Sequence, residues 1–284
     1  MKILILGVSG MAGHMVALYL REQGHDVIGF ARRKVPFVPS IAGDAADTRL
    51  LQETVVNGKF DAVVNCIGVL NQAAEHFRAQ AVFLNAYLPH FLAEITSGRD
   101  TQIVHMSTDC VFSGKTGNYT ETSLRDGETF YDRSKALGEL EDGKNITLRN
   151  SIVGPDINPD GIGLLNWFMR QEGEIQGYTK AIWTGLTTLQ LAKVMEEAIR
   201  QRAHGLYNVV PNHNISKFRL LELFNRCLRD NAVKIIPFDG VSADKTLVRT
   251  RLDFMPQVPD YETMVRELAD WMRLHRKLYP HYQL

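Results

Sequence analysis

Lys2-Ile3-Leu4-Ile5-Leu6-Gly7-Val8-Ser9-Gly10-Met11-Ala12-Gly13 runs from an apolar strand through three glycines into a helical pattern. Glycine permits a tight turn and lets backbone N–H groups approach a pyrophosphate at the positive end of the helix. The spacing is G-x-x-G-x-x-G, one residue longer in its first step than the usual dinucleotide fingerprint. A turn of this kind also serves as a plain connection. Its strand–turn–helix setting makes Gly7, Ser9, Gly10, Met11 and Gly13 the candidate phosphate-side residues.

Outward from this turn, apolar runs alternate with helical patterns. Strands are expected over 2–6, 26–30, 62–66, 102–106 and 146–148, and helices over 11–23, 48–56, 74–96 and 131–140. The alternation predicts right-handed crossovers on a parallel sheet, and the unbroken Ile, Leu and Val runs suit strands covered on both faces. The fold class is therefore α/β, a doubly wound parallel sheet of the Rossmann kind with a smaller C-terminal α/β substrate domain. Residues 1–150 make the dinucleotide-binding domain, which also receives 187–210, and residues 151–284 the substrate-binding domain. In that second part the pattern predicts helices over 164–170, 189–200, 217–228 and 261–278, strands over 205–209 and 233–236, and a turn-rich stretch up to Gly185. The 261–278 helix with Trp271 is a candidate homodimer face, and core packing explains it equally well.

The 284 residues are 45% hydrophobic and 23% charged, and 32 basic side chains balance 32 acidic ones. That balance gives no footprint for nucleic acid or an anionic membrane surface. No apolar run approaches the roughly 20 residues of a membrane helix. Cys66, Cys110 and Cys227 show no paired zinc spacing, so no metal is expected. The N-terminus enters a strand directly, without a signal-peptide layout, and cytoplasmic residence is the expectation.

The second strand ends in Arg32-Arg33-Lys34, with no acid at its tip. An acidic residue there suits the ribose 2′-hydroxyl of NAD, whereas arginine accommodates a 2′-phosphate. Arg32 and Arg33 thus favour NADP over NAD, although a short basic run is also what a solvated loop looks like. Further on, Tyr131 and Lys135 stand four residues apart at the start of a helix, on one face. A lysine beside a phenol favours the phenolate and brings the hydroxyl within reach of acid–base work.

Several stretches together carry a resemblance: 7–13, Gly43-Asp44, Val64-Asn65-Cys66-Ile67-Gly68, Leu84-Asn85-Ala86, His105-Met106-Ser107-Thr108-Asp109-Cys110-Val111-Phe112-Ser113-Gly114, Tyr131 with Ser134-Lys135, and Leu148-Arg149. With them the chain resembles an extended short-chain dehydrogenase/reductase, most of all the dTDP-4-dehydrorhamnose reductase branch. The resemblance implies reduction of a 4-keto group on a nucleotide-linked deoxysugar with NADPH. It implies Tyr131 as proton donor, Lys135 as the group that lowers the phenol and meets the nicotinamide ribose, and Thr108 as holder of the carbonyl oxygen. Asp44 and Ala45 then lie by the adenine and Cys66-Ile67-Gly68 flanks the adenosine, while Asn85 serves the cofactor or positions backbone. Asp109, Val69, Asn150 and Ser151 fall to the substrate. Thr108 also reads as a turn cap and Tyr131 as a half-buried aromatic.

Two departures from the branch stand out. Glu128-Thr129-Phe130 and Asp132 replace the residues usual around the tyrosine, and Asn150-Ser151-Ile152 lacks the aromatic usual near the sugar. The alternatives are a sugar-nucleotide epimerase or dehydratase of the same group, or a regulatory subunit on this fold. A dehydratase usually carries an Asp-Glu pair after the threonine, and Thr108-Asp109-Cys110 lacks the Glu. The turn-rich stretches 150–163 and 177–186, with Lys180 and Trp183, are the expected walls of the sugar pocket.

Overall fold

The computed structural model describes residues 1–284. Strands β1 (Lys2–Leu6), β2 (Asp26–Ala31), β3 (Ser40–Ala42), β4 (Ala62–Asn65), β5 (Gln102–Ser107) and β6 (Ile146–Arg149) form most of one sheet. The helices between them are α1 (Met11–Glu22), α2 (Thr48–Gly58), α3 (Asn71–His76), α4 (Arg78–Ala81), α5 (Leu88–Ile95) and α6 (Phe130–Leu137). The remainder holds β7 (Ile152–Val153), α7 (Leu164–Met169), β8 (Glu174–Trp183), β9 (Leu186–Thr187), α8 (Thr188–Gln201), β10 (Gly205–Asn208), β11 (Ile215–Ser216), α9 (Lys217–Leu228), β12 (Lys234–Asp244) and α10 (Tyr261–Leu274).

The main sheet has seven parallel strands in the order β10-β6-β5-β4-β1-β2-β3. Growth of the sheet reverses between β1 and β4, and open α/β sheets bind ligands at the carboxyl ends of the strands beside such a switch point. Both faces are covered, which is why the strands are continuous apolar runs. Ile3 and Ile5 pack with Met15 and Val16 of α1 and Leu191 and Met195 of α8. Leu4 and Leu6 face Leu51, Leu88 and Leu92 on the opposite side. Beyond this sheet, β8 pairs antiparallel with β11 and parallel with β12, making a second, three-stranded sheet.

Four expectations change. The single helix over 74–96 is interrupted: the chain leaves helical geometry at Phe77 (φ −110°, ψ 57°) and makes a π-helical turn over Val82–Tyr87. That turn carries Asn85, whose buried amide is held by partners outside the helix. The stretch before Gly185 contains the ten-residue β8, hidden in the sequence because one face is exposed and Gly177 interrupts its apolar pattern. β12 runs eleven residues rather than four, held by β8 along a largely exposed edge. The last helix stops at Leu274, and Arg276–Leu278 is a 3-10 turn. Trp271 is buried in the main core among Val265, Leu268 and Met272 of the same helix.

Candidate active site

The turn after β1 builds a cradle. Gly7 has φ +78° and donates its N–H to Phe30 O at 2.9 Å, and Gly10 donates back to Gly7 O at 2.9 Å. A side chain at Gly13 would collide with the Gly7 carbonyl, so Gly13 sets how closely α1 approaches the turn. The helix begins at Gly10 with no side-chain cap and no acid in its first turn. Its first N–H groups therefore lack partners inside the helix, and its positive end is free to take an anion.

A cavity of about 380 Å³ opens from this turn. Gly7, Ser9, Gly10, Arg32, Asp44 and Ala45 line one side, and Cys66, Ile67, Gly68 and Val69 the other. Val69, read as substrate-facing from the sequence, lines this cavity, with its backbone held by Asn85. Arg32 lines the cavity and Arg33 does not. Asp44 also caps its own turn, accepting from Ala46 N at 2.9 Å. Asn85 does not line this cavity. It accepts from Val69 N (2.8 Å) and donates to Val69 O (2.9 Å) and to Ser134 Oγ (3.0 Å).

A second cavity of about 430 Å³ shares Gly10, Cys66, Ile67 and Gly68 with the first. Here Thr108, Asp109, Tyr131, Lys135, Asn150 and Ser151 come together, with Met11 at the shared edge. Thr108 follows β5 and caps the 3-10 turn Asp109–Val111, accepting from Cys110 N at 3.1 Å while its own hydroxyl donates to Asp109 Oδ1 at 3.1 Å. The unusual residues around the tyrosine have a plain role. Thr129 and Asp132 form a capping box that starts α6, and Glu75 accepts the Phe130 N–H at 2.6 Å.

Tyr131 and Lys135 are both buried on α6. Burial pushes the Tyr131 phenol above its ordinary range, with Cys110 adding to the rise and the nearby Thr108 hydroxyl working against it. Desolvation disfavours the charged phenolate, so burial favours the protonated phenol. Burial brings Lys135 down to about 8, against the pull of Glu139 and Cys66. Its Nζ donates to Met106 O at 2.7 Å. Asp109 is raised by burial, and Lys217 and Lys245 partly offset this. Asn150 is buried, and its Oδ1 has no hydrogen-bond partner.

Of the two stretches expected to wall the sugar pocket, 150–163 lines this second cavity, contributing Asp156, Ile162 and Gly163 besides Asn150 and Ser151. No residue of 177–186 lines that cavity, because this stretch is occupied by β8 and β9. Lys180 is exposed and pairs with Asp239 at 3.3 Å. Trp183 is buried, with the Lys217 ammonium 4.7 Å from its ring centre. Lys217, close enough to Asp109 to feel its charge, has no signal in the sequence, since only folding brings α9 to β5. Asp156 is legible there only as part of a Gly-Pro-Asp loop.

A glycine turn at a helix N-terminus, a parallel sheet with its switch point there, and a Tyr-x-x-x-Lys helix beside a Thr-Asp strand end define the extended short-chain dehydrogenase/reductase class. Within it, the profile of the family described as RmlD substrate binding domain matches residues 1–240, and the chain belongs to that family. It is 33% identical over 162 residues to a probable low-salt glycan biosynthesis reductase, Agl14, of Haloferax volcanii, covering 56% of this chain and 50% of that one. It is 34% identical over 142 residues to a dTDP-4-dehydrorhamnose reductase of Burkholderia thailandensis, covering 49% and 45%. The chain thus spans about half the length of the curated relatives it matches. A Bacillus anthracis dTDP-4-dehydrorhamnose reductase solved in complex with NADP superposes with TM-score 0.79 at 20% identity, covering 94% of this chain and 98% of that one. A UDP-glucose 4-epimerase of Thermotoga maritima solved with UDP-glucose gives 0.76 at 17% identity, covering 97% and 100%. At these identities the likeness is one of fold.

Proposed function

We propose that this chain is an NADP-dependent reductase of a 4-keto group on a nucleotide-linked deoxysugar, acting in the cytoplasm in glycan or polysaccharide biosynthesis. The observation that carries the reading is a cleft made of two adjoining cavities that share Gly10, Cys66, Ile67 and Gly68. Its nucleotide end is made of glycines and Arg32, and its other end holds Thr108, Tyr131, Lys135 and the unpartnered Asn150 oxygen. The dTDP-4-dehydrorhamnose reductases among the relatives support the substrate class.

The cleft fits the dinucleotide on structural grounds, since an uncapped helix N-terminus meets a turn in which Gly7 and Gly13 leave no room for a side chain. Ser9, Gly10 and Met11 would hold the pyrophosphate, Asp44 and Ala45 the adenine side, and Arg32 a 2′-phosphate. When bound, NADPH supplies the hydride that reduces the carbonyl carbon. Tyr131 gives its phenolic proton to the oxygen, which stays on that carbon as a secondary hydroxyl, and the phenolate left behind is reprotonated from solvent. Thr108 would turn its one hydroxyl hydrogen from Asp109 Oδ1 to that oxygen, orienting and polarising it. Lys135 meets the ribose and keeps a cation beside the site as charge develops. Asn150, Ser151 and Asp109 hold the sugar, and the part of the chain after residue 150, apart from 187–210, supplies the walls that the nucleotide-binding part lacks.

The deciding experiment is NADPH oxidation against a panel of 4-keto sugar nucleotides differing in base and sugar. Turnover of at least one is the expected result. NADPH binding without turnover of any would overturn the assignment and favour a regulatory role.

A further inference from the structure

Beneath Lys135 lies a polar pair that the catalytic scheme leaves unused. Asn65 ends β4 and His105 stands opposite it on β5 as its cross-strand partner. Both are fully buried. The Asn65 Oδ1 accepts the Ile67 N–H at 3.1 Å, which fixes the amide and leaves its Nδ2 facing His105 Nδ1 at 3.2 Å. An amide nitrogen only donates, so His105 Nδ1 must be the accepting nitrogen. The hydrogen of the neutral ring then sits on Nε2. That nitrogen faces Lys135 Nζ at 3.5 Å.

Two donors are thereby opposed. An ammonium has three hydrogens and no lone pair, so it gains nothing from an Nε2–H and is repelled by it, whereas a neutral amine accepts from it. We propose that His105, locked by Asn65 in the Nε2–H tautomer, is a positioning residue that sets the proton affinity of Lys135 and with it the upper pH limit of the reduction. The proposal rests on the reductase reading for its link to turnover and on geometry alone for its link to Lys135.

The other groups around the pair do not take over this role. Cys66 faces Lys135 from the loop after β4, and burial raises its thiol to about 12, so it is uncharged. Glu139, just beyond α6, is already held by Arg149 at 2.7 Å and by Arg125. His90 of α5 adds a lowering influence on His105, behind burial and Lys135, and His105 stays neutral well below the ordinary imidazole range. Burial keeps Tyr131, on the same helix as Lys135, protonated, and the charges of Asp109 and Asp132 act on Tyr131 and not on Lys135. His105 is the one neighbour whose hydrogen position decides whether Lys135 meets a donor or an acceptor.

Asn65→Asp reverses the arrangement, because a carboxylate accepts from Nδ1–H and turns the Nε2 lone pair toward Lys135. Isotope-labelled histidine, read by long-range proton–nitrogen NMR in the protein without substrate, identifies the tautomer directly. The His105 signal is assigned by its loss in His105→Phe. The expected results are Nε2–H in the native protein and Nδ1–H in Asn65→Asp. The Lys135 titration, followed in protein with labelled lysine, should move up by at least about half a pH unit in Asn65→Asp and also in His105→Phe. The descending limb of kcat/KM above neutrality should move with it. A native Nδ1–H tautomer, or a Lys135 titration unmoved in whichever variant folds, overturns the proposal. Because the NMR readings need no turnover, absence of any active 4-keto substrate would sink the reductase reading without touching them.

Discussion

The Asn85 side chain grips the backbone of Val69 at both its polar groups, accepting from the N–H at 2.8 Å and donating to the C=O at 2.9 Å. The same amide reaches Ser134 Oγ on α6 at 3.0 Å. One buried residue thus ties the loop walling the nucleotide cavity to the helix that carries Tyr131 and Lys135. Asn85→Leu keeps the volume and removes every one of these bonds. Leaving buried partners unpaired costs about 1–3 kcal/mol each, so urea unfolding should show a loss of that order or more. NADPH affinity, measured by fluorescence, should fall with it. Unchanged affinity would mean the loop is positioned without Asn85.

Tyr131→Phe keeps the ring and removes the transferable proton. Fold and NADPH binding should persist while turnover drops by about 10²–10⁴-fold, the usual weight of general acid–base catalysis. Turnover within a few-fold of the native enzyme would take Tyr131 out of the mechanism.

Coenzyme choice should depend on one arginine of the basic tip. Arg32 lines the nucleotide cavity and Arg33 does not. Arg32→Ala should weaken NADPH by roughly tenfold or more while NADH changes little, since hydrogen bonds to charged groups contribute about 1.5–3 kcal/mol. The difference should shrink at high salt. Arg33→Ala should do neither, and equal native affinities for the two coenzymes would remove the tip from the cofactor site.

Acid should loosen the floor of the site through Glu139. Burial works to raise this carboxyl, but its hydrogen bonds and charge pairing with the fully buried Arg149 hold it below its ordinary value of 4.5. A carboxyl lowered on folding contributes stability that is fully present above its unfolded value and is lost as pH falls through the folded one. Thermal unfolding should therefore show a loss beginning below about pH 4.5. Glu139→Gln, which leaves Arg149 charged without its anion, should cost about 3–5 kcal/mol near neutrality and flatten that acid dependence. A native-like pH profile in the variant would mean other carboxylates govern the acid limb.

How legible each feature is in the sequence follows from how local its signal is. The turn after β1 and the Tyr131–Lys135 spacing are each written within a few adjacent residues, so the amino-acid order alone points to both. The π-helical turn at Asn85 is hidden, because a helical pattern continues through it and only the contacts to Val69 and Ser134 reveal it. β8 escapes for a different reason: four of its ten residues are exposed, and its order comes from β11 and β12, far along the chain. His105, Asn65 and Lys217 act on the site through partners on other elements, and no spacing announces such a meeting. The burial that raises the Tyr131 phenol is equally silent in the sequence, which shows the lysine four residues on and not the packing around the ring.

Asn150 separates stability from function in a single substitution. It is almost wholly buried, and its Oδ1 has no partner although the residue lines the cavity that holds Tyr131. An unpartnered buried oxygen is a cost to the fold of about 1–3 kcal/mol, and removing it relieves that cost. Asn150→Ala should therefore unfold at a temperature equal to or above that of the native protein, even though it opens a small space. If the oxygen is kept for a sugar hydroxyl, the same variant should raise the KM for the sugar nucleotide by about five- to tenfold, the weight of one hydrogen bond, with NADPH affinity unchanged. Thermal unfolding, NADPH titration and steady-state kinetics on one preparation check all three. A loss of stability with no change in KM would make Asn150 a packing residue and move the sugar contact to Asp109 or Asp156.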